Sequence, residues 1–371
     1  MRVLIYSDSL VFGGHEEMLL KHVEKSVWPK CTWIGLICAK SNKKYINAAQ
    51  KLKSVGKVSE VITVNDSNRR LDQFLLFINI KSFLTNIVVL FNLKPDIVMV
   101  SAGRIESCNL GFWCAKVLRL PIIFYLPMVH KQYDINPGLL SRFRDFYNHI
   151  IYLGAYGFIV ITDGQKRDLI SRGINQISVV KNIIDIPNAN CRKSVNKRNL
   201  TLGFLGRIHQ KQKNVNFMVS LVCSLSALKP DIRCIVQGDG PDRDHMIHHI
   251  DSSGFGSCFE IRDWWDNVDI FFNDIDILVV PSFYEGMPLV MLQALVREIP
   301  VVATRVDGMA EVLPDSALFS VGDVAQAKFI VSNLNKNSDE WEQVFQRVKK
   351  AIITDTNSSL MSNSILGFIK S

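Results

Sequence analysis

The feature that most restricts how this chain can fold is an alternation of two kinds of segment. Short apolar runs rich in β-branched residues, at positions 3–6, 33–38, 97–100, 122–125 and 158–161, are separated by longer stretches with helical spacing. A strand that is apolar on both faces has to be covered on both. Helices between successive strands provide that cover when the strands pair in parallel. The rhythm starts again at 200–205, 233–237, 259–261, 277–280 and 300–303, without repeating the earlier sequence. A chain of 371 residues exceeds the size at which one core stops growing. Two α/β domains with doubly wound parallel sheets are therefore expected, over residues 1–186 and 200–356. Between them, 187–199 is polar and basic with little to bury, and reads as a linker. The end of the chain, 357–371, contains a short apolar helix at 360–370 expected to pack back on the first domain. Two lobes imply a cleft, and parallel sheets bind ligands beyond the carboxyl ends of their strands.

Charge and composition narrow the classes of partner. Hydrophobic residues make up 48% of the chain, enough for two buried sheets and too many for a disordered protein. Lys and Arg outnumber Asp and Glu by 43 to 35, so the surface attracts anions. The basic residues are dispersed and no nucleic-acid signature accompanies them, which leaves anionic lipid and phosphorylated small molecules as partners. The eight cysteines lack metal-ligand spacing and most sit in apolar runs. They read as reduced core residues. With no charged-then-apolar leader at the start, a cytoplasmic location is expected. No run is long enough to span a bilayer; the nearest, 74–93, is interrupted by Asn79, Lys81 and Asn86. It reads as one or two amphipathic helices, with core packing and membrane contact both open.

Chemistry concentrates at strand ends. After the strand at 277–280 the chain reads Pro281-Ser282-Phe283-Tyr284-Glu285-Gly286-Met287-Pro288-Leu289-Val290, a loop turning into a helix. Pro288 suits a first helical turn, and Gly286 allows close backbone approach. The unpaired amides of that helix start, from Gly286 through Met287 and Leu289 to Val290, favour an anion such as a diphosphate. Glu285 could accept hydrogen bonds from sugar hydroxyls or simply cap the helix. Gln293, inside an apolar stretch, needs a ligand hydroxyl, a backbone partner or solvent. After the strand at 200–205 comes Gly206-Arg207 and then Lys213. A guanidinium fork and an ammonium could neutralise a diphosphate, or could be solvated surface. At the amino end, Gly13 and Gly14 follow the first strand; a glycine pair there serves either a ligand or an ordinary turn. His130, beyond the strand at 122–125, is either a cleft residue or structural. Asp274 and Asp276 spell a D-x-D triplet without a third ligand and read as polar residues at a strand edge.

Taken together these motifs resemble the family-4 glycosyltransferases, retaining enzymes of the GT-B fold. Gly206-Arg207 with Lys213-Asn214, Gly-Asp-Gly-Pro at 238–241, Pro-Ser-x-x-Glu-Gly-x-Pro-Leu-Val at 281–290 and Gly-x-x-Glu-Val at 308–312 occur in the family's order. The first half carries Gly-Gly-x-Glu at 13–16, Lys-Pro-Asp-Ile-Val at 94–98 and Lys-Asn-Ile-Ile-Asp at 181–185. The resemblance implies two Rossmann-like domains facing a cleft, with a nucleotide-diphosphate sugar as donor and no metal or cofactor. It further implies that Arg207 and Lys213 hold the diphosphate, Glu285 the sugar hydroxyls, and the 286–290 amides both sugar and phosphate. Gly13 and Gly14 would close over the phosphate and His130 would sit near the sugar. Two departures stand out: Gln293 replaces the second glutamate of the family's E-x7-E motif, and the Arg-to-Lys spacing is one residue longer, so Lys211 competes as a phosphate ligand.

The implied acceptor is a saccharide or a polyprenyl-diphosphate-linked saccharide at the inner face of a membrane, in synthesis of a surface polysaccharide such as O-antigen, capsule or lipopolysaccharide. An anionic membrane surface is a further expected partner. Two rivals remain from the sequence: a sugar-nucleotide-binding subunit that has lost catalysis, and a sugar-nucleotide epimerase of the same architecture.

Overall fold

Strand β1, Arg2–Tyr6, leaves Val3, Leu4, Ile5 and Tyr6 without solvent exposure, as expected of a strand covered on both faces. In this computed structural model the described residues are 1–66, 80–103, 107–187, 200–264, 268–335, 338–356 and 358–370. They divide into two units, Met1–Ile183 with Thr354–Ser371, and Ile184–Ile353. The expected linker lies, apart from Pro187, outside the described residues, and so do residues 74–79 of the segment 74–93; residues 80–93 of that segment form one helix, Ile80–Leu93.

The first unit continues with β2 (Trp33–Ala39), β3 (Glu60–Val64), β4 (Ile97–Ser101), β5 (Ile122–Tyr125), β6 (Gly157–Val160) and β7 (Ile177–Val179). All pair in parallel in the order β3-β2-β1-β4-β5-β6-β7. The order reverses between β1 and β4, where Val3 stands opposite Ile97. The returning helix Leu360–Lys370 packs on β6, where Gly157 makes room for it. A Cβ on Gly157 would stand 2.5 Å from the ring of Phe368. Ser362 also donates to the Val27 carbonyl at 3.1 Å.

The second unit contains β8 (Thr201–Leu205), β9 (Arg233–Gln237), β10 (Phe259–Arg262), β11 (Ile277–Val280), β12 (Val301–Thr304) and β13 (Leu318–Phe319). They form a parallel sheet in the order β10-β9-β8-β11-β12-β13, reversing between β8 and β11. Both sheets therefore have a topological switch point of the kind where parallel α/β sheets bind ligands.

Three strands, β3, β7 and β13, had no counterpart in the sequence reading, and all three are sheet edges. An edge strand has one neighbour and needs no continuous apolar run; β3 is half-buried over most of its length and β13 is two residues long.

Candidate functional site

The loops after β8, β9, β11 and β12 gather at the carboxyl ends of the second sheet, and main-chain contacts hold them. Gly206 donates to the Gln237 carbonyl at 3.1 Å, and Ile208 to that of Asp239 at 2.9 Å. This approach excludes side chains. A Cβ on Gly238 would stand 1.9 Å from the Gly206 carbonyl oxygen, and one on Gly240 would stand 2.1 Å from that of Ile208. Gly206 and Gly238 also have φ of 150° and 152°, open to glycine and strained for other residues. The Gly-Asp-Gly-Pro motif thus shapes the loop that carries Arg207. Asp242 completes it by accepting from the Gln210 amide at 2.7 Å, at the start of the short helix Gln210–Lys213.

Lys213, the last residue of that helix, reaches Glu285 on the loop after β11, with Nζ 2.5 Å from Oε1. Their side chains keep 17% and 8% of their exposure, so the pair is largely withdrawn from water. Ser282 donates to the same carboxylate oxygen at 3.0 Å. The Glu285 amide donates to Asp307 Oδ2 at 2.7 Å, and Phe283 to the Gln212 carbonyl at 2.8 Å. Gly308 donates to the Gly286 carbonyl at 3.0 Å, joining the start of the helix Asp307–Val312 to the same loop. Asp307 has a positive φ of 45°. Such strain persists where the surroundings fix it, here with its carboxylate on the Glu285 amide.

Two sequence expectations need correcting. Glu285 does not cap a helix. The helix Leu289–Val296 is preceded by Pro288 at its N-cap, in extended conformation and without a side-chain cap, so Pro288 stands just before the first turn. No described group accepts from the Leu289 or Val290 amides, as the first turn of a helix requires unless something outside it does. Asp274 and Asp276, by contrast with Glu285 and Pro288, have structural duties at the strand edge, in keeping with their reading as polar residues there. Asp274 pairs with Arg262 at 2.8 Å, and Asp276 accepts from the Thr201 amide at 2.8 Å. Among the described residues no group of three potential ligands could hold a metal.

Arg207 is exposed and makes no hydrogen bond or ion pair among the described residues; the same is true of Lys211. Gln293 is half-buried; its carbonyl accepts from Arg297 Nη1 at 2.9 Å while its side chain has no described partner. In the same unit a cavity of about 710 Å³ lies elsewhere, between the starts of β8 and β9 and along β10. Parallel sheets bind ligands at the opposite strand ends, and the cavity touches none of these loops.

In the first unit Gly13 is the N-cap of the helix Gly14–Lys25, with ordinary extended φ. A Cβ there would make only van der Waals contact, 3.4 Å from Glu16. Packing within the unit therefore does not require glycine at 13. Glu16 is fully buried. One carboxylate oxygen takes the Gly13 amide at 2.9 Å and the other lies 2.7 Å from His15 Nε2. Gly103, just beyond β4, leaves space for that imidazole, since a Cβ would stand 2.4 Å from it. His15, Glu16 and Gly103 thus meet at the β1–β4 switch point. The Gly-Gly-x-Glu spacing pointed to the glutamate, and nothing in the sequence pointed to Gly103. His130 is half-buried on the loop after β5. That loop is braced by Gln165, which donates to the Pro127 carbonyl at 2.7 Å and accepts from the Ile161 amide at 3.0 Å. Beside Asp8, burial first and the carboxylate second hold the Tyr6 phenol and Cys108 thiol in their neutral forms.

Comparison with known proteins adds to this geometry. Residues 199–337 match the family described as glycosyl transferases group 1, so the second unit carries a domain of that family. The sulfoquinovosyl transferase SQD2 of Arabidopsis thaliana is 25% identical over 254 residues, which is 62% of this chain and 48% of the relative. The lipopolysaccharide 1,6-galactosyltransferase of Escherichia coli K12 is 27% identical over 210 residues, 52% of this chain and 55% of the relative. The chain spans about half the length of the curated relatives it matches. Among solved structures, Anabaena Alr3699/HepE in complex with UDP superposes with a TM-score of 0.74 at 14% identity, covering 100% of both chains. The fold is GT-B, with two parallel-sheet α/β domains.

Proposed function

We propose that this chain, with its group 1 glycosyl transferase domain, is a retaining glycosyltransferase of family 4 acting in the cytoplasm. It transfers a sugar from a nucleotide diphosphate to a saccharide or polyprenyl-diphosphate-linked acceptor during synthesis of a surface polysaccharide. The observation that carries the reading is the knot of loops at the β8–β11 switch point. It places an unpartnered guanidinium, a Lys–Glu pair and unpaired helix amides on three neighbouring segments. UDP in the Anabaena structure and galactosyl transfer by the Escherichia coli relative favour the same chemistry.

Arg207 and Lys213 hold the diphosphate. Lys213 is already paired with Glu285, but an ammonium has three donors and can serve a phosphate oxygen at the same time. Glu285 keeps an acceptor oxygen for sugar hydroxyls. The amides between Gly286 and Val290, Met287 and Leu289 among them, meet the sugar and phosphate, and Gln293 meets the ribose through its amide. In the first unit the residues assigned to substrate are Gly13, Gly14 and His130.

During transfer the bond from the anomeric carbon to the phosphate oxygen breaks while the acceptor oxygen bonds to that carbon on the same face. The acceptor proton passes to the departing phosphate, and the two cations stabilise the developing charge. Turnover of UDP-, GDP- and ADP-sugars with and without acceptor tests this. Release of nucleotide that depends on acceptor is the expected result, with more than tenfold loss in Arg207→Ala at unchanged melting temperature. Conversion of the sugar nucleotide without acceptor would identify an epimerase, and binding without turnover a subunit that has lost catalysis. Unchanged turnover in Arg207→Ala would remove the assigned role.

A further inference from the structure

The helix Leu139–Leu153 is inside out. It buries Ser141 and Asn148 together with Ile151 and Tyr152, and exposes Leu139, Leu140, Phe143, Phe146, Ile150 and Leu153 at 48% to 85%. At helical spacing these six form one stripe. Their exposed area is on the order of 600 Å² or more, at the upper end of the patches a soluble monomer displays. The orientation is fixed from inside. Tyr152 packs on Phe124 and Phe158, and Tyr147 accepts from Trp113 Nε1 at 2.8 Å.

The helix Ile80–Leu93 repeats the pattern, burying Ser82 and Asn86 while Ile80, Leu84, Val88 and Phe91 are 54% to 64% exposed. Between the two lies the helix Asn109–Val117. It contributes Trp113 to one neighbour, Cys114 Sγ at 3.6 Å from the Phe83 carbonyl to the other, and an exposed Val117. All three belong to crossovers running the same way along the strand order, so right-handed connection puts them on one face of the sheet.

Charge selects the occupant. These helices carry Lys81, Lys116, Arg142 and Arg144 against one acidic residue, Asp145. The Asp145 carboxylate is occupied by the Gln132 and Tyr133 amides at 2.7 and 3.0 Å. Two copies meeting through this face would bring their cations together, whereas an anionic lipid surface complements both the cations and the apolar stripe. We infer that the outer face of these three helices is a docking surface for an anionic bilayer, with the Leu139–Leu153 stripe lying in the interface plane. Among the described residues no helix is long and apolar enough to cross a membrane. The inference does not depend on sugar transfer, since no substrate enters it.

Co-sedimentation of the full chain with phosphatidylcholine vesicles, with and without phosphatidylglycerol, tests it. At least tenfold stronger binding to the anionic vesicles is expected, because each basic residue near such a surface adds about fivefold. Phe143→Ser with Phe146→Ser should cut that binding at least tenfold without changing the melting temperature. Leu140→Ser with Leu153→Ser repeats the test on the same stripe should the first pair fail to fold. Equal binding to neutral and anionic vesicles, or binding that ignores both pairs, would overturn the inference. So would a dimer that the substitutions dissolve, which would assign the face to a second copy.

Discussion

Removing the Lys213 ammonium tests the candidate site at its most withdrawn point. Lys213→Met keeps most of the side-chain volume and strands the Glu285 carboxylate, 8% exposed, with the Ser282 hydroxyl. Breaking a buried pair in this way costs about 3–5 kcal/mol. Because Lys213 is itself 17% exposed, the lower end applies, about 3 kcal/mol. Glu285→Gln leaves a partly hydrated ammonium beside a neutral acceptor and should cost about 1–2 kcal/mol. The double variant leaves no stranded charge and should cost about 1–2 kcal/mol, so the coupling energy is about 2–4 kcal/mol. Urea unfolding measures this. With a slope of about 2 kcal/mol per molar, Lys213→Met should lower the midpoint by about 1.5 M and the double variant by less than 1 M. Single costs that add, with coupling below about 0.5 kcal/mol, would show that the two groups do not depend on each other and refute the reasoning.

Burial lowers the His22 imidazole from its usual value to about 4, so the folded state keeps it neutral. Its contribution is complete above pH 6.5 and is lost as pH falls from there towards 4, about 3 kcal/mol in all. His22→Gln should flatten that part of the stability profile, and an unchanged slope would exclude His22 as its source. Gly238→Ala forces a Cβ into the Gly206 carbonyl and should cost about 2–3 kcal/mol together with nucleotide affinity, whereas Gly13→Ala should leave the melting temperature unchanged and lower turnover. Thermal melts alongside donor titrations separate the two glycines. Burial raises the thiols of Cys38 and Cys114 to about 12, so maleimide should label neither in the native chain, while among the described cysteines the half-buried Cys223 and Cys258 should react before them in mass spectrometry of the digest.

The central strands were legible because burial on both faces leaves an uninterrupted apolar run. The edge strands β3 and β7 are only partly buried, and β13, though buried, is two residues long, so none shows such a run. In the site, glycines, cations and helix start could be read in order along the sequence. The partner of Lys213 could not, because Glu285 stands 72 positions away and only the adjacency of β8 and β11 brings them together. The Gly-Asp-Gly-Pro motif could be read, but not its use: the glycines at 238 and 240 are points of backbone contact. The helix Leu139–Leu153 escaped notice for a different reason. Periodicity reveals that a helix has an apolar stripe, but the direction of that stripe depends on whether Tyr152 and Asn148 or Phe143 and Phe146 meet the sheet, and only packing decides it.

The first unit is discontinuous: it needs Thr354–Ser371, which follow the whole of Ile184–Ile353. A ribosome adding about 5–20 residues per second therefore spends roughly ten to thirty seconds on the intervening stretch while the hollow above Gly157 waits for Phe368. During synthesis the later-starting unit can be complete first, and a nascent chain halted before position 354 would carry a finished second unit on an unfinished first one.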